Sequence, residues 1–396
     1  MRASTALLLL PLVAASPYAD LFARGGNGNN GNNCGGKDKY HGKTLAPSNY
    51  TIVDGLFIQD DPAFNATGYD LMKDSFGLID KSKDRWKKFT KHITELNKNA
   101  DAYTTYKVIY IARHGEGYHN VAEHIYGSDA WNCYWSLLYG DGNMTWGDAT
   151  LTPLGEDQAR AANAGWKEQI KAGIPLPQVL YSSPFRRAAS TLELTWNDIL
   201  MNKGMKPIFK EGWREMIGLH TCDERSNRTV LAQTYPQFTF ESSFTEHDQV
   251  WDEVYQESHA QQASRLRRTV GDLFANDPST FVSVTCHSGV INAFFKAIGH
   301  RPLQVQVGGF VPVVIKAVSH PTATMDHLTG GPSYTAPICL ADPTTKVKAP
   351  ATVTVAPTWY PACTAAPSIF TSFPATGCLT QPASGPTEAP KPTSAA

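Results

Sequence analysis

The sequence predicts an α/β fold, a three-layer α/β/α sandwich around a mostly parallel sheet. Between about 101 and 335, short continuous apolar runs alternate with segments of helical periodicity, which is the pattern of strands covered by helices on both faces. Polar and charged residues follow the carboxyl ends of several of these runs. That edge of an open α/β sheet is where ligands bind, so we expect a site there.

Five strands are predicted from apolar runs rich in β-branched and aromatic residues. Their apolar residues are continuous rather than alternating, which indicates burial on both faces of the sheet. The predicted strands are Val108–Ala112, Val179–Ser182, Ile208–Lys210, Phe281–Cys286 and Val311–Val318.

Helices are predicted between these strands from caps and periodicity. Thr152-Pro153 and Ser183-Pro184 each place a capping residue before a proline at the first helical position. A third helix is predicted over about His259–Ala275, where apolar residues recur at helical spacing, and a fourth begins at Ser288. A further helix, roughly Lys81–Asn97, precedes the first strand.

Composition divides the chain of 396 residues into segments of different character. The tail is rich in Pro, Ser and Thr and too poor in apolar residues to offset the entropy of ordering it. The predicted segments are a signal peptide at 1–15, a Gly/Asn-rich linker at 16–39, an N-terminal extension packing on the core at 40–100, the main domain at 101–335 and the tail at 336–396.

The first segment is predicted to direct the chain to secretion. Arg2 precedes the apolar run Ala6–Val13, which is too short to span a bilayer, and small residues typical of a cleavage site follow. Four N-glycosylation sequons agree with export and predict surface positions for their asparagines. These asparagines are Asn49, Asn65, Asn143 and Asn227. We therefore expect an extracellular protein without a membrane anchor.

Seven cysteines in an exported chain indicate disulfides and one leftover thiol. Cys286 ends an apolar strand and is the candidate for the free thiol. The other cysteines leave many connectivities open, and only Cys363 with Cys378 is favoured, because the two lie close together in the tail. The formal charge of −1 provides no field that would recruit nucleic acid or an anionic membrane, so we expect neither as a partner.

The tripeptide Arg113-His114-Gly115 directly follows the first predicted strand of the main domain. A histidine in this position can attack phosphorus, the arginine can hold a phosphoryl oxygen, and the glycine lets the group approach the backbone. The tripeptide alone has low specificity. It gains specificity because its expected partners follow in order: Leu151–Gly155, Ser182–Ala188, Glu215 and Cys286–Gly289.

This ordered set resembles the histidine phosphatase superfamily, in the branch that includes cofactor-dependent phosphoglycerate mutase and its phosphatase relatives. The resemblance covers roughly 101–335 and implies a phosphohistidine intermediate. The other major branch of the superfamily carries Arg-His-Gly-x-Arg-x-Pro and a His-Asp pair. Here Glu116-Gly117-Tyr118 follows the glycine and Ser288 follows His287, which disfavours the acid phosphatase and phytase branch.

The resemblance implies a role for each catalytic residue. It assigns the nucleophile to His114, the general acid to Glu215, and the binding of the phosphoryl group to Arg113, Arg187 and His287. We expect His287 to be charged and to donate a hydrogen bond to a phosphoryl oxygen. Arg187 rather than Arg186 matches the Arg-Ala position of the family. Successive helical residues point about 100° apart, so only one of these two arginines can face the pocket.

Two further residues are expected to contact the substrate. Asn120 matches a family asparagine that touches the transferred group. Arg225 lies in a segment that resembles fungal members, and its alternative is an ion pair with Asp223 or Glu224. The aromatic-rich insertion 121–148 is expected to cap the pocket, where its rings pack onto the sheet, which we favour, or stack on an organic leaving group.

These residues predict a secreted phosphomonoesterase that acts on a small-molecule phosphate ester. No metal or other cofactor is expected, because histidine supplies the nucleophile and His119 and His124 lack further ligands at metal-binding spacing. One alternative is phosphoryl transfer of the phosphoglycerate mutase type, which export disfavours. The other is a catalytically idle extracellular binding protein, which the complete set of expected catalytic residues disfavours.

Overall fold

The computed structural model describes residues 49–65, 72 and 74–319, together with the short pieces 334–335, 339, 342–343, 352–353 and 373–374. The predicted signal peptide and linker lie outside the described residues, as do Cys363 and Cys378.

A seven-stranded mixed sheet forms the centre of the described structure, in the order β1-β8-β2-β7-β3-β4-β5. Strands β2, β7, β3, β4 and β5 are parallel, whereas β8 runs antiparallel to both of its neighbours. A separate antiparallel pair joins β6 and β9. The strand bounds are β1 Asn49–Ile52, β2 Thr104–Arg113, β3 Val179–Ser182, β4 Ile208–Phe209, β5 Thr239–Phe240, β6 Tyr255–Gln256, β7 Phe281–Cys286, β8 Phe310–Val318 and β9 Tyr334–Thr335.

Helices cover both faces of this sheet. Helices α7 and α8 pack on one face through buried apolar side chains such as Leu266, Val270 and Phe294. Helices α1, α4 and α5 pack on the other face through Trp86, Trp166 and Trp196. This confirms the predicted α/β/α sandwich. The helix bounds are α1 Arg85–Asn99, α2 Tyr118–Tyr126, α3 Ser128–Cys133, α4 Pro153–Lys171, α5 Arg186–Trp196, α6 Arg228–Thr234, α7 His259–Asn276 and α8 Ser288–Ala297.

Three adjacent strands end in register at one edge of the sheet. Arg113 of β2 lies beside Cys286 of β7, and Ser182 of β3 lies beside Thr285. The residues that come directly after these strands are His114, His287 and Ser183, all of which belong to the motifs identified in the sequence. The parallel pairing therefore gathers the motifs at the carboxyl edge, as the sequence pattern predicts.

The beginnings of two predicted helices show what a local pattern can determine. Helix α4 begins at Pro153 as predicted, and the Thr152 hydroxyl accepts a hydrogen bond from the Gly155 amide. The prediction of a helix beginning at Ser183-Pro184 is wrong, because α5 begins at Arg186. The Ser183 amide instead donates to the Thr285 carbonyl, which extends the sheet pairing beyond the end of β3.

Several short elements were not predicted. They are the strands β1, β5, β6 and β9 and the helices α2, α3 and α6, which have between 2 and 9 residues. Helix α2 has Gly117 at its N-cap and therefore lacks the Ser, Thr or Asp signal that marks α4. Elements of this length depend on tertiary packing rather than on their own periodicity.

The bonding state of the cysteines agrees with the prediction only in part. Cys286 is free and buried, as predicted, but Cys222 is also a free and buried thiol, so the expectation of one leftover thiol is wrong. A disulfide joins Cys133 of α3 to Cys339. All four sequon asparagines are exposed, which confirms their predicted surface positions. Within the described residues, no helix is both long and apolar enough to cross a membrane.

Candidate active site

The loop after β2 holds His114 in a fixed orientation. Its backbone amide donates to the Cys286 carbonyl at 3.0 Å, and its carbonyl accepts from the Gly308 amide at 2.9 Å. Its ring is buried, and Nδ1 lies 2.6 Å from the carbonyl oxygen of Gly115. Because only a protonated Nδ1 can donate to that carbonyl, this contact fixes the tautomer and leaves the Nε2 lone pair available for attack.

Two glycines bring the His114 loop against the start of α4. A Cβ on Gly115 would lie 2.2 Å from the Gly155 carbonyl oxygen, and a Cβ on Gly155 would lie 2.0 Å from the Glu116 carbonyl oxygen. Thr152 adds a hydrogen bond from its hydroxyl to the Glu116 carboxylate at 2.8 Å. The Leu151–Gly155 motif therefore acts by positioning the loop that carries His114.

His287 is the second histidine of the site. It caps α8, is fully buried, and its ring centroid lies 5.0 Å from that of His114. Its Nε2 lies 2.7 Å from the Ser183 hydroxyl, which orients the ring. Its Nδ1 is buried and has no hydrogen-bond partner among the residues the structure describes. A buried nitrogen of this kind is suited to contact a bound ligand.

Arg113 and Arg187 supply the positive charge around these histidines. Burial lowers the pKa of His114 well below its usual value, and the charges of Arg187 and Arg113 lower it further. The same causes act on the pKa of His287. Both rings are therefore neutral near pH 7, and the prediction of a charged His287 is wrong, because burial and the arginine charges disfavour the imidazolium form. The guanidinium groups rather than imidazolium ions attract an anion to this site.

Arg187 is held by a buried ion pair. Its guanidinium donates to Asp223 Oδ1 at 2.8 Å and to the Cys222 carbonyl at 2.6 Å, and it stacks on the Phe185 ring at 4.6 Å. Arg186 points elsewhere, because it donates to the Asp148 carbonyl and lies 3.5 Å from the Asp148 carboxylate. The neighbouring arginines thus face different surroundings, and Arg187 is the one beside the histidines.

Glu215 lies where α8 begins. One carboxylate oxygen accepts from the Gly289 amide at 3.1 Å, and the other accepts from the Met216 amide at 3.1 Å and the Gln262 side chain at 3.3 Å. Burial raises the pKa of Glu215, and the charge of Asp223 raises it further, although Arg187 acts in the opposite direction. The carboxyl group therefore keeps a proton to higher pH than an exposed glutamate does.

The two residues predicted to contact substrate differ in their surroundings. The Asn120 carbonyl oxygen accepts from the Gly117 amide at 3.0 Å and so caps α2, while its amide group has no hydrogen bond to the described residues. Arg225 does not fit the prediction. Its ion pair is with Glu211 at 2.6 Å rather than with Asp223 or Glu224, and its remaining donors are taken by the 245–247 segment and Ser226. Arg225 is thus a structural residue.

Two further histidines, His119 and His220, lie at the site, although the sequence analysis did not assign them to it. The His119 ring centroid lies 5.3 Å from that of His114, in the first turn of α2. Burial lowers the pKa of His220, while Glu123 and Glu215 raise it, which places this ring near both carboxylates. Only the formation of α2, which was not predicted, turns His119 toward His114, so its spacing in the sequence gave no signal.

The aromatic insertion packs on itself and on the loop that carries Cys222. Tyr126 stacks on Trp135 at 4.0 Å, and Trp131 contacts Trp146 edge to face. Trp146 is fully buried and donates to the Leu138 carbonyl at 2.5 Å. These contacts agree with the favoured packing role, although the rings pack mainly against one another rather than onto the sheet.

One group of side chains near the site has the composition of a metal site. The ligand atoms of His220, Cys222 and Asp223 lie within 4.8 Å of one another. Asp223 is already paired with the Arg187 guanidinium, and a second cation there would be repelled by that charge. We therefore assign no metal to this group.

The sequence of this chain is similar to those of known proteins. Residues 140–306 match the family model of the histidine phosphatase superfamily, branch 1, a range that begins after Arg113-His114-Gly115. A probable phosphoglycerate mutase of Arthroderma benhamiae is 40% identical over 291 residues, which are 70% of this chain and 87% of that protein. A probable phosphoglycerate mutase of Saccharomyces cerevisiae is 34% identical over 264 residues, covering 61% of this chain and 87% of that protein.

Among solved structures, a mycobacterial glucosyl-3-phosphoglycerate phosphatase matches 55% of this chain and 99% of its own, with 18% identity and a TM-score of 0.32. The two relatives are 40% and 34% identical to this chain, and each match covers 87% of the relative. This similarity is sufficient to decide the family. The chain belongs to the histidine phosphatase superfamily, in its phosphoglycerate mutase-like branch.

Proposed function

We propose that this protein is a secreted phosphomonoesterase that works through a phosphohistidine on His114. The observation that carries the proposal is the contact of His114 Nδ1 with the Gly115 carbonyl, which leaves Nε2 available as a nucleophile beside the charges of Arg113 and Arg187. A neutral histidine is nucleophilic, and burial together with these two charges keeps the ring neutral by lowering its pKa.

In the first step, His114 Nε2 attacks phosphorus in line with the departing oxygen. A P–N bond forms as the bond from phosphorus to the leaving alcohol breaks, and the Glu215 carboxyl group gives its proton to that oxygen. Arg113, Arg187 and the His287 ring stabilise the phosphoryl oxygens while the group is transferred. The raised pKa of Glu215 supports this assignment, because the donor must be protonated at the start.

In the second step, water attacks the phosphohistidine. The Glu215 carboxylate accepts a proton from the water, the P–N bond breaks, and inorganic phosphate leaves. His114 returns to its neutral form with its Nδ1 proton still directed at Gly115. The cycle needs no further reactant.

Phosphoglycerate mutase activity is the second candidate, because both sequence relatives described above carry that name. A mutase passes the phosphoryl group of the histidine to a second hydroxyl of its substrate instead of to water. The predicted signal peptide and the exposed sequon asparagines support hydrolysis outside the cell, where glycolytic intermediates are not the expected substrates.

The proposal is tested with p-nitrophenyl phosphate and with 3-phosphoglycerate in the presence of EDTA, using protein recovered from the culture medium. We expect vanadate-sensitive release of p-nitrophenol and of inorganic phosphate. Isomerisation of 3-phosphoglycerate without phosphate release would favour the mutase. Retention of the protein inside the cell would contradict secretion.

Glu215→Gln is expected to affect phosphate esters unequally. The variant keeps the shape of the side chain but cannot deliver a proton. General acid catalysis contributes about 10²–10⁴-fold, and basic leaving groups need it most. An alkyl phosphate should therefore lose far more activity than p-nitrophenyl phosphate when the phosphorylation step is measured by rapid quench.

The pH dependence gives a second readout from the same variant. The acid form of Glu215 is lost as the pH rises through its raised pKa, so the rate on an alkyl phosphate should fall there in the wild type. The variant should lack this decline. Equal losses on both esters, with the decline retained, would place the proton donor elsewhere.

A further inference from the structure

The charges around His114 limit what the site can bind. Arg113 and Arg187 are the cations that act on His114, His119 and His287 together, and burial keeps these rings neutral by lowering their pKa. The Asp223 carboxylate, 2.8 Å from the Arg187 guanidinium, offsets one of the two charges. The positive charge therefore suffices for one phosphoryl group and leaves little for a second anion.

Three other arginines near the site are neutralised by their own carboxylates. Each lies within hydrogen-bonding distance of an acidic side chain and is engaged by it rather than by the pocket. These pairs are Arg214 with Asp248 at 2.5 Å, Arg225 with Glu211 at 2.6 Å and Arg265 with Glu257 at 2.7 Å.

A carboxylate on α2 adds negative charge beside the pocket. Glu123 follows His119 by one helical turn, so both side chains lie on the same face of α2, and His119 faces His114. The charges of Glu123 and Glu215 both raise the pKa of Arg113 and of His220, so the two carboxylates act on the same two side chains. Because Glu215 is uncharged in its acid form, Glu123 supplies the negative charge on this side.

We propose that the site selects phosphate monoesters whose leaving alcohol carries no negative charge, and that Glu123 determines this selectivity. The inference rests on the proposed hydrolysis and names its substrate class, esters of neutral or cationic alcohols. A second phosphate or a carboxylate on the leaving group would be repelled by Glu123. In the part of the chain that the structure describes, Arg187, Arg214, Arg225 and Arg265 are already paired with carboxylates, so they do not offset this repulsion. The same repulsion disfavours a bisphosphorylated intermediate, which a phosphoglycerate mutase has to hold.

Glycerol 3-phosphate and 3-phosphoglycerate are a matched pair for the test, because they differ chiefly in a hydroxymethyl group in place of a carboxylate. At low ionic strength, the wild type should show a kcat/KM for glycerol phosphate that is higher by on the order of tenfold. Added salt should reduce this ratio, since it screens the repulsion at a partly exposed carboxylate.

Glu123→Gln should reduce the ratio several-fold by raising kcat/KM for 3-phosphoglycerate, and Glu123→Lys should reduce it further. Glutamine can still accept the hydrogen bond that Ser128 donates to Glu123 at 3.1 Å, so the fold should persist. The matched control is Glu168→Gln, an exposed carboxylate on α4 whose ion pair is with Lys171, and its ratio should equal that of the wild type.

A wild type that prefers 3-phosphoglycerate, or a ratio unchanged in both Glu123 variants, would overturn the inference. If either result is obtained while p-nitrophenyl phosphate is still hydrolysed, the selectivity is disproved but the proposed phosphatase function is not. Failure of all three esters to react would instead overturn the proposed function.

Discussion

Replacing His114 with alanine is expected to lower kcat by a factor on the order of 10³ or more for every phosphomonoester. The reason is chemical, because His114 Nε2 forms the bond to phosphorus and no neighbouring ring can reproduce its position. His119 and His287 lie at ring-centroid distances of 5.3 and 5.0 Å, and the Ser183 hydroxyl holds the His287 ring. Steady-state rates on p-nitrophenyl phosphate measure the loss.

The matched control for this variant is His124→Ala, which changes an exposed histidine on α2. It should retain the wild-type rate. Thermal unfolding of both variants checks that the fold persists. Substantial turnover by His114→Ala with a cooperative unfolding transition would contradict the mechanism.

Replacing Arg187 with methionine is expected to reduce both stability and activity. Arg187 is almost fully buried, and its loss leaves the buried Asp223 without its ion-pair partner. Breaking such a pair typically costs about 3–5 kcal/mol in the free energy of unfolding. Activity should fall as well, because one of the two guanidinium groups that attract the phosphoryl oxygens is removed. Urea unfolding and kcat/KM measure the two effects.

A double variant separates these two roles. Adding Asp223→Asn to Arg187→Met removes the uncompensated carboxyl group, so stability should recover in part while activity stays low. Arg186→Met is the matched control, since Arg186 pairs with Asp148 away from the histidines, and it should keep its activity. Recovery of activity in the double variant would show that Arg187 acts only through the fold.

The sequence predicted the features that depend on short stretches of chain. The bounds of β3 and β7 follow from continuous apolar runs, and Thr152 caps α4 because a threonine before a proline favours that geometry. The parallel pairing of β2 and β7 then places His114 beside His287 without further information. A resemblance was needed only to assign roles to these residues.

Contacts between distant segments were not predictable in the same way. Arg225 was expected to reach substrate, but Glu211 and the 245–247 segment take its donors. His119 reaches His114 only because α2 forms with a glycine at its N-cap. Cys222 remains a free thiol because it is buried among the aromatic rings of the insertion, a position that the count of cysteines does not reveal.

The most direct test of the phosphohistidine is to trap it. Wild-type protein mixed with a phosphate ester, quenched in base within milliseconds and digested, should yield a peptide phosphorylated at His114 by mass spectrometry. The modification should be stable in base and lost in acid, and it should be absent from His114→Ala. Turnover in which rapid quenching never yields phosphate on His114, even with p-nitrophenyl phosphate, whose good leaving group makes phosphorylation fast, would contradict the account.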